Sequence, residues 1–377
     1  MPSVPCRTHW QKPWRTRVKH TRTLTLAAAA AVGALTLAGC GSSTGGGSAS
    51  TSSGNCASGT IKASGSTAQA NAMDKWKDAY QDNCADATIE YQGVGSGAGV
   101  TQFTGKQTAF AGSDSALTPD QQTQADARCA TGPALNIPMV GGAIAIMYNV
   151  SGVNKLVLNP AVVAGIFNNT ITKWNDPKIA ALNAGVTLPD ATIAQFHRSD
   201  SSGTTGNLTK YLAATAPTVW TTPPSNDWVA PGGQGSKGSD QVTASVKSTP
   251  NSIGYAELSF VTDPVKAAWI DNGSGAVEAT SDNAAKTIAG ATVKGSGNNL
   301  PLSIDYATKA AGAYPIVLVT YEITCQKGLS GTDLAVTKSF LTYTASDAGQ
   351  ALLGPAKYVP ITGDLLTKVR TAVAAIS

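Results

Sequence analysis

From Ile61 onward, short apolar runs alternate with stretches whose apolar residues recur every three or four positions. Ile61–Ala63 is predicted as a strand. The helix expected after it, over Ala68–Gln81, carries Ala68, Ala72, Met73, Trp76, Ala79 and Tyr80 as one buried stripe. Thr88–Gln92 and Thr108–Ala111 read as further strands, and Thr118 before Pro119 as the N-cap of another helix. Pro133–Val140 and Ala143–Val150 read as two apolar strands, with Gly141-Gly142 between them as a crossing between domains. Helices are expected over Pro177–Leu182, after an Asp176 cap, and over Asn207–Leu212. Strands are expected over Ile193–His197 and Tyr314–Thr324. Ala267–Asn299 is polar and Gly-rich and reads as surface excursions. Asp364–Ile376 is a helix with Leu365, Leu366, Val369, Ala372, Val373 and Ile376 on one face. Alternating strands and helices make this an α/β chain.

The N-terminus follows a different pattern. Residues 1 to 22 carry Arg7, Lys12, Arg15, Arg17, Lys19 and Arg22 and no acid; an uncharged run from Leu24 to Leu37 then ends in Leu37-Ala38-Gly39-Cys40. A basic segment, a short apolar run and small residues before a cut site describe a secretory signal over 1–39. The run is too short for a comfortable membrane span. Leu-Ala-Gly-Cys resembles a bacterial lipobox, which makes Cys40 an acylated N-terminus. Several acyl chains together would attach the protein firmly to the membrane. Residues 40–56 are then the lipidated cysteine and a Gly/Ser tether.

Removing the leader changes the charge. The chain has 27 basic and 23 acidic residues, and six of the basic ones lie in the leader, so the remaining body is near −2. The apparent basicity therefore gives no support for nucleic-acid binding. A body of about 320 residues exceeds one typical core, and two domains are expected. Four cysteines remain, Cys56, Cys84, Cys129 and Cys325. An even number in an exported chain favours two disulfides, with three pairings open. No cysteine pair has zinc-ligand spacing, and His197 is the one histidine after the leader, so no metal site is expected.

Four strand-to-loop transitions share one composition: Ser66-Thr67, Ser96 in a Gly-rich loop, Ser113-Asp114, and Arg198 with Ser202-Gly203-Thr204. Loops at the carboxyl edge of an α/β sheet are where ligands bind. Helix N-termini there offer free N–H groups and a positive dipole end. Hydroxyls and one guanidinium fork can surround a tetrahedral oxyanion. Residue reasoning alone thus reaches an oxyanion-binding α/β protein.

These segments also resemble a known family. Ala63-Ser64-Gly65-Ser66-Thr67, Tyr91-Gln92-Gly93-Val94-Gly95-Ser96-Gly97, Phe110-Ala111-Gly112-Ser113-Asp114 and Arg198-Ser199-Asp200-Ser201-Ser202-Gly203-Thr204 are similar, in order, to the phosphate-contacting motifs of the phosphate-specific periplasmic binding proteins. Ile171–Asp176, Ile253–Glu257 and Tyr314-Pro315-Ile316 match further landmarks of that family. The resemblance runs from about residue 59 to the C-terminus. It implies a two-domain periplasmic-binding-protein fold of type II-like architecture, each domain a mixed sheet flanked by helices, with the ligand in the interdomain cleft. Domain one would combine 57–140 with 314–377, and domain two would span 141–313.

The resemblance further implies inorganic phosphate as ligand, no cofactor, and delivery to the membrane permease of an ABC importer with a separate ATPase. Ser66 and Thr67 would donate from hydroxyl or backbone N–H. Ala68, where many relatives have Phe, would donate its backbone N–H. Ser96 would donate hydroxyl and N–H, and Arg198 a charge-assisted contact with Asp200 holding its guanidinium. Ser202, Gly203 and Thr204 would close the cage. Asp114 would accept the proton that phosphate carries and sulfate lacks, so that an unprotonated oxyanion faces unpaired acceptors. In that fold Cys56 and Cys84 lie at the edge away from the ligand, and Cys129 and Cys325 flank elements of the first domain. This placement predicts Cys56–Cys84 and Cys129–Cys325, although the resemblance does not itself require bridges.

Enzyme readings find little support. Gly93–Ala98 fits a loose GxGxxA without a convincing ribose-binding acid, and there is no Walker A segment and no G-x-S-x-G elbow. The competing expectations are a binder of sulfate, molybdate or arsenate and, further off, a phosphatase.

Overall fold

In the computed structural model, which describes residues 56–377, Gly59–Gly65 (β1) pairs in parallel with Ala87–Gly93 (β2) on one side and Phe110–Ser113 (β3) on the other. Between β1 and β2 runs the helix Ala70–Asn83 (α1), which buries Ala72, Met73, Trp76 and Tyr80. This is the stripe expected from the spacing. Trp76 donates Nε1–H to the Gly349 carbonyl at 2.8 Å, so the ring is buried without an orphaned donor. The helix starts two residues later than its apolar period implied, because Ser66–Gln69 first form a turn in which the Ala68 N–H donates to Ser66 Oγ at 3.0 Å. The expected signal segment (1–39), Cys40 and the tether up to residue 55 lie outside the described residues.

The sheet continues from β3 to the antiparallel strand Val317–Cys325, then to Ala134–Asn149 (β4), Ser252–Glu257, Ala194–Arg198 and Gln234–Ser236. β4 corrects the expectation of two strands broken at Gly141-Gly142. It is one strand of 16 residues, buried along almost its whole length. Its first half lies along Val317–Cys325 and its second half along Ser252–Glu257, from Ile144↔Glu257 to Asn149↔Ser252. A Cβ at Gly142 would stand 2.9 Å from Glu257 Cγ. The glycine is there for a neighbouring side chain that needs its space, and the chain does not turn.

Helix Pro119–Cys129 begins as expected: Thr118 Oγ1 accepts from the Gln121 N–H while Gln121 Oε1 accepts from the Thr118 N–H. Three other readings change. Gly93–Gly99 is only partly a loop, since Ser96 opens the helix Ser96–Thr104. The helix expected at Asn207 begins at Gly203 and runs to Thr215, with Ser202 as N-cap. Ala267–Asn299 holds the helix Ser281–Ala289, with Ala284, Thr287 and Ile288 buried at helical spacing. In all three, Gly, Ser and Thr dilute the apolar period that pattern reading depends on.

Cys56–Cys84 and Cys129–Cys325 are bridged, with Cα atoms 5.3 and 5.4 Å apart. The described residues, 56–377, belong to one compact unit by contact. Among the described residues no helix is long and apolar enough to cross a membrane, and no group of three or more His, Cys, Asp or Glu is arranged to hold a metal ion.

Candidate functional site

The four hydroxyl-rich loops converge. β1, β2 and β3 are parallel, so their carboxyl ends bring Ser66-Thr67, Ser96 and Ser113-Asp114 to one edge. The strand Ala194–Arg198 ends against them from the other half of the sheet. Gly97 N–H donates to the Ser201 carbonyl at 3.0 Å, joining the two sides directly. Ser66, Ser96, Asp114, Arg198, Ser202 and Thr204 are each at most 3% exposed. Six polar side chains withdrawn from water at one point require internal partners.

Asp114 has them. Its carboxylate accepts from Thr320 Oγ1 at 2.8 Å and from Thr204 Oγ1 at 3.1 Å. Its N–H donates to Ser96 Oγ at 3.2 Å, and its carbonyl accepts from Asn207 Nδ2 at 2.7 Å. Burial raises the Asp114 pKa, opposed by the Ser66, Thr320 and Thr204 hydroxyls and by the Arg198 charge. An aspartate that caps a helix would face backbone N–H groups. This one faces hydroxyls and a guanidinium, and the cap of the following helix is Thr118.

Arg198 is paired with Asp200. Its Nε and Nη2 donate to Asp200 at 2.7 and 2.5 Å, a two-point fork that leaves the Nη1 edge without a hydrogen-bond partner among the described residues. Burial alone would raise the Asp200 pKa, but the Arg198 fork and the Gly238 N–H, donating at 3.0 Å, bring it below the ordinary value. Ser202 Oγ accepts from the Thr205 N–H at 3.2 Å. The Gly203 and Thr204 N–H groups, at the positive end of a 13-residue helix, have no intrahelical acceptor.

Some of the expected donors are engaged within the protein. The Thr67 hydroxyl lies 2.9 Å from Ser239 Oγ and accepts from the Ser239 N–H at 3.1 Å. Ala68 N–H is turned to Ser66 Oγ. Sequence reading missed Ser239, Asn207 and Thr320, which lock Thr67 and Asp114 in place. Thr320 left one trace, a hydroxyl inside the apolar run Val317–Ile323. Ser239 and Asn207 left none, because polar residues on helices are ordinary. His197 stacks on Trp228 with ring centroids 4.8 Å apart, and burial lowers its pKa. Its Nδ1 lies 3.0 Å from the Arg198 carbonyl.

Comparison with known proteins agrees with this geometry. Residues 50–348 match the model of the PBP superfamily domain. The chain is 43% identical over 323 residues to the phosphate-binding protein PstS3 of Mycobacterium bovis, covering 84% of this chain and 87% of that protein. It is 41% identical over 365 residues to the phosphate-binding protein PstS2 of the same organism, covering 92% and 96%. The crystal structure of the phosphate-binding protein from Stenotrophomonas maltophilia superposes with a TM-score of 0.63 at 21% identity, covering 83% of this chain and 94% of that one. Similarity of this extent along nearly the whole chain, together with the converging loops, places it in the PBP superfamily: the chain belongs to the family of phosphate-binding proteins.

Proposed function

We propose that the protein binds inorganic phosphate outside the cytoplasm and delivers it to the permease of an ABC importer. The observation that carries this reading is the burial of one guanidinium and one carboxylate in a single hydroxyl-rich cage. A fixed cation supplies affinity for an anion, and a fixed acceptor demands that the anion bear a proton. Phosphate at neutral pH has both features. Arg198 Nη1, the hydroxyls of Ser66 and Ser96, and backbone N–H groups of Thr67, Gly203 and Thr204 are the donors; Asp114 is the acceptor. Ser202 holds its helix end in place and Asp200 holds Arg198. Ala68 donates only if its N–H leaves Ser66.

In this reading 57–140 with 314–377 form one lobe and 141–313 the other, and β4 runs through both. Ligand contacts from both lobes favour the closed form. Cys40 acylation would tether the closed protein near its permease and raise its local concentration there. Catalysis has no part in this reading: Asp114 serves as acceptor for the proton of phosphate, His197 is stacked on Trp228 and pairs with no cage hydroxyl, and a chromogenic phosphate ester should show no turnover above blank.

Calorimetry with phosphate and with sulfate tests the reading. Phosphate should bind at least about 100-fold more tightly, and at a hundred times its Kd should add roughly 2.7 kcal/mol of stability. Equal affinities for the two anions, or none for either, would overturn it.

Gly203→Ala tests the closed geometry. A Cβ there would stand 2.6 Å from Asp114 Cβ and 2.7 Å from Ser96 Oγ, both contributed by the other lobe. Overpacking of this kind costs about 1–3 kcal/mol. Phosphate affinity should fall by roughly tenfold or more while the ligand-free melting temperature stays close to that of the parent. An unchanged Kd would mean that the two lobes do not meet in this way when phosphate is bound.

A further inference from the structure

Among the backbone donors of the cage, the Thr67 N–H has no hydrogen-bond acceptor among the described residues. No rotamer can aim a backbone N–H. In a planar trans peptide it points opposite to the carbonyl of the preceding residue, so its direction is set by whatever holds the Ser66 carbonyl. Tyr91 holds it, its O–H donating to that carbonyl at 2.8 Å. The neighbouring peptides are fixed by other groups. Ser66 N–H donates to the Gly112 carbonyl at 2.8 Å, the Thr67 carbonyl accepts from Ala70 N–H at 3.2 Å, and the Ala68 carbonyl accepts from the Tyr358 O–H at 2.6 Å. The Ser66–Thr67 peptide is the one in this turn whose carbonyl rests on Tyr91.

The phenol is itself held in place. Tyr91 lies near the end of β2, in register with Ala63 of β1, and its Oη accepts from Gln69 Nε2 at 3.0 Å. An oxygen that accepts from the amide turns its one proton to the carbonyl. Gln69 is fully buried, so its side chain has little freedom to leave. Both polar groups sit over Gly112, where a Cβ would stand 2.6 Å from Tyr91 Oη and closer still to Gln69 Nε2. Glycine at 112 makes room for the pair. Burial also raises the Tyr91 pKa well above the ordinary phenol value, which keeps the hydroxyl a donor.

We propose that Tyr91 is a positioning residue for phosphate binding: through the Ser66 carbonyl it aims the Thr67 N–H into the cage, and Gln69 directs the phenol proton that does so. The proposal rests on the phosphate reading above and deepens it. Tyr91 acts through the peptide and not on the anion. Its effect is to align the donor before phosphate arrives, so that binding does not have to order it. Without the phenol hydroxyl, the Ser66 carbonyl loses its donor. The peptide can then turn about its flanking dihedrals and swing the Thr67 N–H off the cage.

Calorimetry with inorganic phosphate, together with amide NMR spectra of the labelled protein, tests this. Tyr91→Phe should weaken phosphate binding by about five- to twentyfold, the scale of one charge-assisted hydrogen bond thrown out of line. On phosphate addition the Thr67 amide proton of the parent should move downfield, the mark of an N–H donating to an anion; in Tyr91→Phe that shift should shrink to less than about half. Tyr80→Phe is the control. It removes another buried tyrosine hydroxyl, shared with Ser339 Oγ at 2.7 Å near the far end of α1, and should leave Kd within about twofold. Gln69→Met keeps the buried volume without the donor and should weaken binding by about two- to fivefold. A Kd equal to the parent's in Tyr91→Phe, or in Gln69→Met where Tyr91→Phe does not fold, overturns the assignment and leaves the cage intact. So does a full Thr67 shift in Tyr91→Phe, or an equal loss of affinity in Tyr80→Phe, which would mark general loosening. If the parent binds no phosphate, the functional reading falls and this role with it.

Discussion

Asp114→Asn is expected to reduce the preference for phosphate over sulfate by about two orders of magnitude. The carboxylate is 3% exposed, receives hydroxyl hydrogen bonds from Thr204 and Thr320, and lies in the field of Arg198. Those donors occupy only part of its capacity, and in the proposed cage the rest faces the bound oxyanion. A protonated oxyanion satisfies it. An unprotonated one leaves two acceptors opposed in a dry site, where a lost hydrogen bond to a charged group costs about 3 kcal/mol or more. Asparagine keeps the shape and can present an N–H, so the same position becomes a donor that sulfate accepts.

Competition calorimetry at neutral pH should therefore show sulfate binding gained and phosphate binding weakened by roughly tenfold. The variant should also be more stable than the parent without ligand, because burial penalises the charge and no longer has one to act on. Continued exclusion of sulfate by Asp114→Asn would show that selectivity comes from cavity size or from other donors.

The second large effect concerns two glutamates away from the loops. Glu257 is fully buried on the strand beside β4, and Glu322 is 1% exposed on Val317–Cys325, two residues from Thr320. Burial pushes both pKa values up to about 8. The Glu257 carboxyl has one anchor, the Ser259 N–H at 2.8 Å, while its Oε1 has none. Among the described residues neither oxygen of Glu322 meets a donor at hydrogen-bond geometry, and Gln69 is the polar side chain that bears on it. A neutral Glu322 removes a buried charge that its surroundings compensate poorly, with Asp114 adding a like charge in the same region. We therefore take the protonated form as the native one.

The consequence for stability has a definite sign. The native state keeps two protons that the unfolded chain releases above its ordinary carboxyl value, near 4.5. Stability should then fall as pH rises from about 4.5 to about 8, by up to ~1.4 kcal/mol per pH unit for each group, and level off beyond. Asp200 acts oppositely: its lowered pKa adds stability above the ordinary aspartate value that is lost on acidification below it. The ligand-free protein should be most stable near pH 4–5. Denaturant titrations in phosphate-free buffer across pH 4 to 9 check this. Glu257→Gln with Glu322→Gln should flatten the decline and gain several kcal/mol at pH 8. Parallel pH profiles for parent and double variant would show that both carboxyls are ionised in the folded state.

Much of the site could be read before any coordinates because its parts are local. A strand, a hydroxyl or glycine turn and a helix start occupy a few consecutive residues. Ser66-Thr67, Ser96, Ser113-Asp114 and Arg198–Thr204 each carry that signature independently. Their common composition implied a common ligand type, whereas the pairing of Asp200 with Arg198 was expected from the family resemblance.

Other parts were illegible for identifiable reasons. β4 looked like two strands because glycine is a break signal in sequence. Only the presence of Glu257 beside Gly142 shows that the glycine makes room for a side chain. The start of the helix at Ser96 was hidden by three glycines in its first turn and just before it, residues of poor intrinsic propensity held in place by a hydrogen bond from the Gly97 N–H to the Ser201 carbonyl.

By itself, the order of residues determined the α/β class, the α1 and C-terminal helix stripes, the Thr118 N-cap and the four hydroxyl- and Gly-rich loops, because each depends on periodicity or on neighbours within a few positions. Tertiary structure alone decided which hydroxyls face Asp114, that Ser239 takes the Thr67 hydroxyl, and that Glu257 and Glu322 are buried. Those contacts join residues far apart in the chain: Thr320 lies 206 positions from Asp114, and Ser239 lies 172 from Thr67. Partners at such separations are chosen by sheet order and packing, which leave no periodic trace in the residues themselves.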